Sequence, residues 1–204
     1  MDKLESLHKV TKADIKPLAQ MLSRAFFDYP TIMKLEPDAE RRRKLAHFAW
    51  EVILKLGVSH GETYSPTEQL EGTAIWFHSD TVWGSAWQIL RAGGLKLYLK
   101  IGRKFVKKFS DMIEYVNKRH EKLVPYRHIH LAQLGVDPEL QGKKLSSKLM
   151  RAMFERTDEQ GIPCFLETAK EKNVSIYEHM GFEVLEKGII PNLNVPHWAM
   201  LRKI

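Results

Sequence analysis

Apolar residues in this chain recur at two spacings, and glycines and prolines mark where one spacing gives way to the other. Leu4–Val10 reads as a short first strand. Thr11 follows as a helix N-cap, with Asp14 three residues on in a capping-box arrangement. Ile15, Leu18, Met21, Leu22 and Ala25 then recur at helical spacing, and Pro30 is expected to close that helix. Pro37–Glu40 opens a second helix with Leu45, Phe48, Ala49, Ile53 and Leu54 on its apolar face, ending at Gly57. Gly61–Tyr64 and Gly72–Phe77 read as two strands of an antiparallel meander around the polar turn Ser65–Glu71.

Residues 81–122 break that pattern and read as mainly helical, with Trp87, Leu90, Leu95, Leu97, Ile101, Phe105 and Phe109 as the apolar groups and Gly93-Gly94 as a break. A strand is expected over His128–Val136, a helix over Gly142–Gln160 and a strand over Cys164–Thr168. A short helix over Val174–Met180 and final strands at Phe182–Leu185 and Trp198–Arg202 complete the order. That order describes an α/β (α+β) chain with a mixed central sheet of about six to seven strands flanked by helices. Its strand–helix–strand unit calls for parallel strands joined by a right-handed crossover. Residues 1–204 are read as one domain, with 81–122 as a helical insertion.

Charge changes this picture in one place. The net charge is +7, and residues 91–122 alone hold ten Lys/Arg against three Asp/Glu. A nucleic-acid footprint formed with Tyr98, Phe105, Phe109 and Tyr115 is one reading of that segment. A solvated basic face on amphipathic helices is the favoured one. The single cysteine, Cys164, excludes an intrachain disulfide, points to a reducing, cytoplasmic setting, and sits in an apolar run where a buried thiol is expected. Met1-Asp2-Lys3-Leu4-Glu5 carries no apolar signal core, and no run reaches the roughly eighteen apolar residues a membrane span needs, so no membrane partner is expected. Histidines and carboxylates show no metal-ligand spacing, and no metal is expected.

The candidate chemistry lies between Leu134 and Phe182. In Leu134-Gly135-Val136-Asp137-Pro138-Glu139-Leu140-Gln141-Gly142-Lys143-Lys144-Leu145-Ser146-Ser147, an apolar strand ends in an Asp-Pro turn and small and basic residues open a helix. A helix start offers unpaired amides and a partial positive charge to a phosphate, and Lys143 and Lys144 add full charges. The run Gln-Gly-Lys-Lys-Leu-Ser resembles the coenzyme A signature of the GNAT superfamily, [Gln/Arg]-x-x-Gly-x-[Gly/Ala], with Lys144 and Ser146 in place of its small residues. Asn173, Tyr177, Gly181 and Phe182 resemble that family's Asn-x-x-x-Tyr-x-x-x-Gly-Phe pattern in register. The stretch Phe-Leu-Glu-Thr and the ending Trp-Ala-Met-Leu-Arg further resemble the branch that includes puromycin N-acetyltransferase.

The resemblance implies a GNAT fold with splayed parallel strands in its second half. It implies acetyl-coenzyme A as co-substrate, held by Leu134, Gly135, Val136, the turn Gln141, Gly142, Lys143, Lys144, Leu145, Ser146 and Ser147, and by Asn173 and Tyr177. It implies N-acetyl transfer to a primary amine by direct attack. Tyr177 is the candidate acid for the leaving thiolate and the Leu134 amide the candidate oxyanion donor. His130, eleven residues before Gln141, is a candidate base, and Glu167 on the facing strand is the other. Asp28 and Tyr29 border the expected acceptor pocket, and Trp76, Trp83 and Trp87 are read as packing residues that could also line it. The expected partner is a small-molecule or peptide amine, with nucleic acid disfavoured and a homodimer left open. The alternative is a coenzyme A-binding regulatory or nucleic-acid-associated protein of the same fold without catalysis.

Overall fold

Alternation along the strands sends apolar side chains to both faces of one sheet, and helices cover each face. A computed structural model of the chain describes residues 3–81 and 84–204. Among these, the strands are β1 (His8–Lys9), β2 (Glu62–Ser65), β3 (Gly72–His78), β4 (Ile129–Val136), β5 (Cys164–Thr168), β6 (Glu183–Ile190) and β7 (Val195–Arg202). Their spatial order is β1-β2-β3-β4-β5-β7-β6, and only β4 and β5 run parallel. The helices are α1 (Ile15–Ala25), α2 (Pro30–Leu35), α3 (Ala39–His60), α4 (Ala86–Arg91), α5 (Gly94–Ile101), α6 (Arg103–Leu123), α7 (Leu145–Gln160) and α8 (Glu171–Glu178).

On one face, Trp76, Ile129, Leu131, Leu166 and Met200 pack against Leu149, Met150 and Met153 of α7 and against Tyr177 of α8. On the other face, Ile75 and Phe77 meet Ile15, Leu18 and Leu22 of α1 and Trp50 and Leu54 of α3. Further along that second face, Phe165, Ala199 and Leu201 pack under Leu123 and Val124. The apolar stripe of α6, including Phe105, Phe109 and Met112, closes over Leu35, Ile190 and Val195.

Polar contacts fix the layers. Glu62 of β2 takes a bidentate bond from Arg156 of α7 at 2.7 Å through each oxygen, with Tyr64 at 2.9 Å and His78 at 3.0 Å. Burial alone would raise the Glu62 carboxyl, but these partners, Arg156 foremost, hold it down at about 2. On the opposite face the buried Arg42 of α3 donates to the carbonyls of Phe27 (2.9 Å), Glu36 (2.8 Å) and Pro37 (3.2 Å), which stitches both loops flanking α2.

Several boundaries differ from the sequence expectation. The first strand shrinks to His8–Lys9 because Lys3–Ser6 coils into a 3₁₀ turn that buries Leu4. The Thr11–Asp14 box is present: the Asp14 carboxylate accepts from the Thr11 amide and hydroxyl, each at 2.8 Å. Pro30 does not close α1; it occupies the start of α2, where a missing N–H costs nothing. The basic helical stretch is three helices, parted at Gly93 and again at Gly102. Helix α7 begins at Leu145 rather than Gly142, and α8 begins at Glu171 rather than Val174. Gly57 does not end α3, which continues to His60. A Cβ there would stand 2.7 Å from both Ile75 Cγ2 and Thr63 Oγ1, so glycine is needed for close helix–sheet approach. Gly57→Val should lower stability by about 1–3 kcal/mol through overpacking, read as a reduced denaturant midpoint at unchanged slope.

Candidate active site

The site begins with an interrupted ladder. Along the β3–β4 pair, Ile75 faces Gln133 but Trp76 faces Leu131, so Ala132 is an extra residue and β4 bulges there. A bulge bends its strand and sharpens the local twist. The parallel pairing of β4 with β5 starts at Ile129–Cys164 and stops at Leu131–Leu166, immediately before the bulge. Beyond it, Asp137 N–H donates to the Glu71 carbonyl at 2.9 Å, and the register places those two residues opposite one another. Bonding alternates along an antiparallel strand, so Gly135 and Gln133 bond toward β3 while the amides of Leu134 and Val136 turn toward the β5 side. There the ladder supplies no partner strand. The result is a slot between two diverging strands, walled on one side by outward-directed backbone donors.

At the slot's end the chain turns through Pro138–Leu140 into the loop Gln141–Lys144. The Asp137 carboxylate accepts from the Glu139 amide at 3.2 Å and pairs with Arg24 of α1. Gln141 Nε2 donates to the Val136 carbonyl at 3.3 Å, fastening the loop to the strand. Gly142 at φ +82° and Lys144 at φ +61° both take left-handed conformations. Lys148 N–H donates to the Lys144 carbonyl at 3.0 Å, so the amides of Leu145, Ser146 and Ser147 precede the first intrahelical bond of α7. Lys143 and Lys144 are exposed beside them. Amides turned outward through left-handed residues at a helix start form a cradle for phosphate oxygens.

A second group of residues meets the far end of β5. Thr168 Oγ1 lies 3.1 Å from the Tyr29 hydroxyl, 3.3 Å from the Lys170 amide nitrogen and 3.4 Å from Asn173 Nδ2. The Tyr29 hydroxyl also accepts from the Ala169 amide at 2.8 Å. Burial pushes the Tyr29 phenol upward, with the nearby Glu167 charge adding to it. Burial also pushes the Tyr177 phenol well above its ordinary value, helped by Tyr29, so Tyr177 is neutral and offers a proton rather than accepting one.

Between these groups lies a carboxylate among imidazoles. Glu167 Oε2 is 3.5 Å from His130 Nε2, and Glu167 Oε1 is 3.5 Å from His197 Nε2. Burial would raise the Glu167 carboxyl, but the two imidazoles outweigh it and hold the group down at about 2. His120 of α6 stacks on Phe165 at 4.1 Å and lies 4.7 Å from the His130 ring. His128 Nδ1 sits 2.7 Å from the Tyr126 carbonyl and must donate to it, so neutral His128 accepts at Nε2 from His120 Nε2, also 2.7 Å away. Burial, and then His130, push His120 down to about 3, and burial lowers His128 too.

The fold thus pairs His130 with Glu167, gathers Tyr29 and Asn173 at Thr168 with Tyr29 within electrostatic reach of Glu167 and Tyr177, and separately sets the Leu134–Val136 edge beside the Gln141–Ser147 turn. It does not bring Asp28 to them: that side chain is 80% exposed, 3.9 Å from Arg42. Trp76 is buried in the core, Trp87 is 65% exposed, and Trp83 lies outside the described residues. Cys164 is buried, its thiol pushed up to about 11 by desolvation. Thr168, His197 and His120 were not singled out in the sequence. Thr168 ends an apolar strand like any turn-adjacent threonine, and His197 and His120 reach Glu167 only through β7 pairing and α6 docking. Sequence spacing offered no metal-ligand set, yet His120, His130 and Glu167 place ligating atoms within 4.8 Å of one another. Their bonds and ion pairs describe an imidazole–carboxylate network.

This network has a signature in acid. His120 takes up a proton near 6.5 when unfolded but only at about 3 when folded, so its contribution is intact above 6.5 and is lost as pH falls through that window. Lowering pH from about 7 to about 5 should reduce the melting temperature, and His120→Phe, which retains a ring to stack on Phe165, should flatten that slope. Parallel melting curves of the two proteins check it.

Comparison with known proteins agrees with this geometry. Residues 97–184 match the acetyltransferase (GNAT) domain family. A Schizosaccharomyces pombe protein named as an uncharacterized N-acetyltransferase is 29% identical over 206 aligned positions, covering 96% of this chain and 82% of its own length. A Corynebacterium glutamicum structure described as histone acetyltransferase HPA2 and related acetyltransferase superposes with a TM-score of 0.69 at 18% identity, covering 97% of this chain and 95% of that one. The polyamine N-acetyltransferase of Drosophila melanogaster superposes with a TM-score of 0.60 at 13% identity, covering 97% and 99%. At these identities the structures speak to fold alone. Residues 97–184 are thus similar to the acetyltransferase (GNAT) domain, the chain resembles an N-acetyltransferase-named relative along nearly its whole length, and its fold, with split parallel strands, is that of these acetyltransferase structures.

Proposed function

We propose that the chain transfers an acetyl group from acetyl-coenzyme A to a primary amine by direct attack within a ternary complex. The observation that carries this reading is the end of β4–β5 pairing at Leu131–Leu166, with the Leu134 and Val136 amides directed into the opening. A pantetheine arm carries amides of its own and can bond such an edge as a strand would. Its pyrophosphate matches the donors at Gly142–Ser147, with Lys143 and Lys144 alongside.

In this reading His130, 3.5 Å from Glu167, takes the proton of the acceptor ammonium, directly or through water, as an imidazole general base. Glu167, held strongly ionised, is too weak a base for that task; it orients the imidazole and balances the charge the proton brings. The freed amine attacks the thioester carbonyl, and the Leu134 amide bonds the developing oxyanion. As the C–N bond forms and the C–S bond breaks, neutral Tyr177 donates its proton to the departing sulfur and is reprotonated by the proton the new amide nitrogen loses, directly or through water. Tyr29 braces the end of β5 where these groups converge.

The acceptor is read as a small amine or a peptide amine. Thiol release from acetyl-coenzyme A, measured across simple amines, polyamines, lysine and peptide N-termini, tests the proposal. Release with none of them, together with a cofactor-induced rise in melting temperature, would favour a binding module without catalysis. Tyr177→Phe should lower the turnover rate on the order of 10²-fold with little change in cofactor affinity. An unchanged rate would assign the sulfur's proton to water.

Lys144 holds a conformation that glycine adopts without strain. Lys144→Gly should weaken acetyl-coenzyme A binding by about 1.5–3 kcal/mol through loss of a charge-assisted contact. Titration calorimetry at low and high salt checks this, since screening should shrink the difference at high salt. Tighter binding by the glycine variant at low salt would instead make Lys144 an obstruction.

A further inference from the structure

The helical segment between β3 and β4 contains two kinds of helix. The apolar stripe of α6 is used internally, with Phe105, Phe109 and Met112 packed over Leu35 and Ile190. Helices α4 and α5 are not covered in that way. On α5, Leu97 packs toward Val52 and Leu56 of α3, and Ile101 is buried. Leu95, Tyr98 and Leu99 form the opposite arc, at 58%, 41% and 74% exposure. Trp87 and Leu90 of α4 add 65% and 46%. Of the twelve exposed large apolar side chains among the described residues, six fall between Trp87 and Leu99, so exposed apolar surface is concentrated on these two consecutive helices.

The surrounding charge has one sign. Between Asp80 and Asp111 the sequence holds seven Lys/Arg and no acidic residue. Lys96 and Lys100 are exposed on α5 beside that arc, with their ammonium groups 5.9 and 4.3 Å from the centre of the Phe48 ring. We infer that α4 and α5 form a docking surface for an anionic phospholipid membrane, with Trp87, Leu90, Leu95 and Leu99 entering the interface and the lysines meeting the headgroups. An amphipathic face with aromatic and aliphatic residues rimmed by lysine is suited to lie in such an interface.

Other occupants fit less well. Nucleic acid would use the cations and aromatic rings, but the exposed leucines have no base-stacking role. A second copy would set one acid-free basic patch against another. A peripheral surface also differs from the membrane span that the sequence excludes, and no helix among the described residues is long and apolar enough to cross a bilayer.

Flotation of the full chain with vesicles tests this. Phosphatidylcholine vesicles containing about one-third phosphatidylserine should carry the protein, pure phosphatidylcholine should not, and added salt should release it. Leu95→Ser with Leu99→Ser should lower the partition coefficient by about tenfold or more. Both positions are exposed, so an unchanged melting temperature and unchanged thiol release establish that the variant is folded. No recovery with either vesicle overturns the inference, as does equal recovery with both. Binding that survives the double substitution overturns the apolar part of it. A concentration-dependent dimer in sedimentation velocity, dispersed by the double substitution and accompanied by no flotation, would reassign the patch to self-association.

Discussion

A parallel pair of strands that stops bonding halfway leaves backbone donors without partners, and this fold is arranged around keeping that opening. Buried amides are normally paired, and a sheet left to itself would continue its ladder to the strand ends. Here the extra residue Ala132 bends β4 away from β5 after Leu131, while the antiparallel bonds to β3 continue as far as Asp137 and Glu71. The bulge also restores Leu134 to the face that packs on α7, so the core on that side continues past the irregularity. Supporting contacts lie on both faces: the Arg156–Glu62 fork ties α7 to β2, and buried Arg42 ties the loops around α2. Tyr29 extends that second anchorage to the last residue of β5.

The same divergence concentrates polar groups that would be costly elsewhere. Glu167 projects from β5 toward the face covered by α6, where His130, His197 and His120 arrive from three other elements. An ionised carboxylate in that position is tolerable because imidazoles surround it. The neutral state of His120 follows from its burial, stacked on Phe165, and then from the neighbouring His130 and His128. A helix whose sequence reads as a solvated basic surface thus contributes one neutral imidazole to the interior while its lysines stay in water, as in the Lys107–Asp111 and Lys118–Glu114 pairs.

Some of this was legible in the sequence. The strand–turn–helix from Leu134 to Ser147 could be read because a short apolar run, an Asp-Pro turn and a helical period are local signals. The Asn173–Phe182 register could be read because it lies on a single short helix and its stop. A sheet of about six to seven strands flanked by helices, with a parallel pair, follows from the same local periodicities. Errors fell where a glycine or proline has two meanings: Pro30 starts a helix as readily as it ends one, and Gly57 serves close packing within a helix that continues.

What only the tertiary structure decided is everything that depends on which elements become neighbours. No periodicity in β4 marks Ala132 as the extra residue, because a bulge is defined against the partner strand. His197 and His120 are separated in sequence from His130 and meet Glu167 only after β7 pairs with β5 and α6 docks, and Thr168 meets Tyr29 only when the start of α2 closes onto the end of β5. Asp28 and Tyr29 adjoin in sequence, yet Arg42 draws the loop so that the phenol turns inward and the carboxylate faces water. Lys144 could be seen in the sequence as a departure from glycine, but its left-handed backbone is set by the loop closing onto α7. The sequence determined where a turn with free helix-start amides would lie, since that turn is built from consecutive residues. It left open which side chains share the proton chemistry, since distance between side chains is a property of packing and not of spacing along the chain.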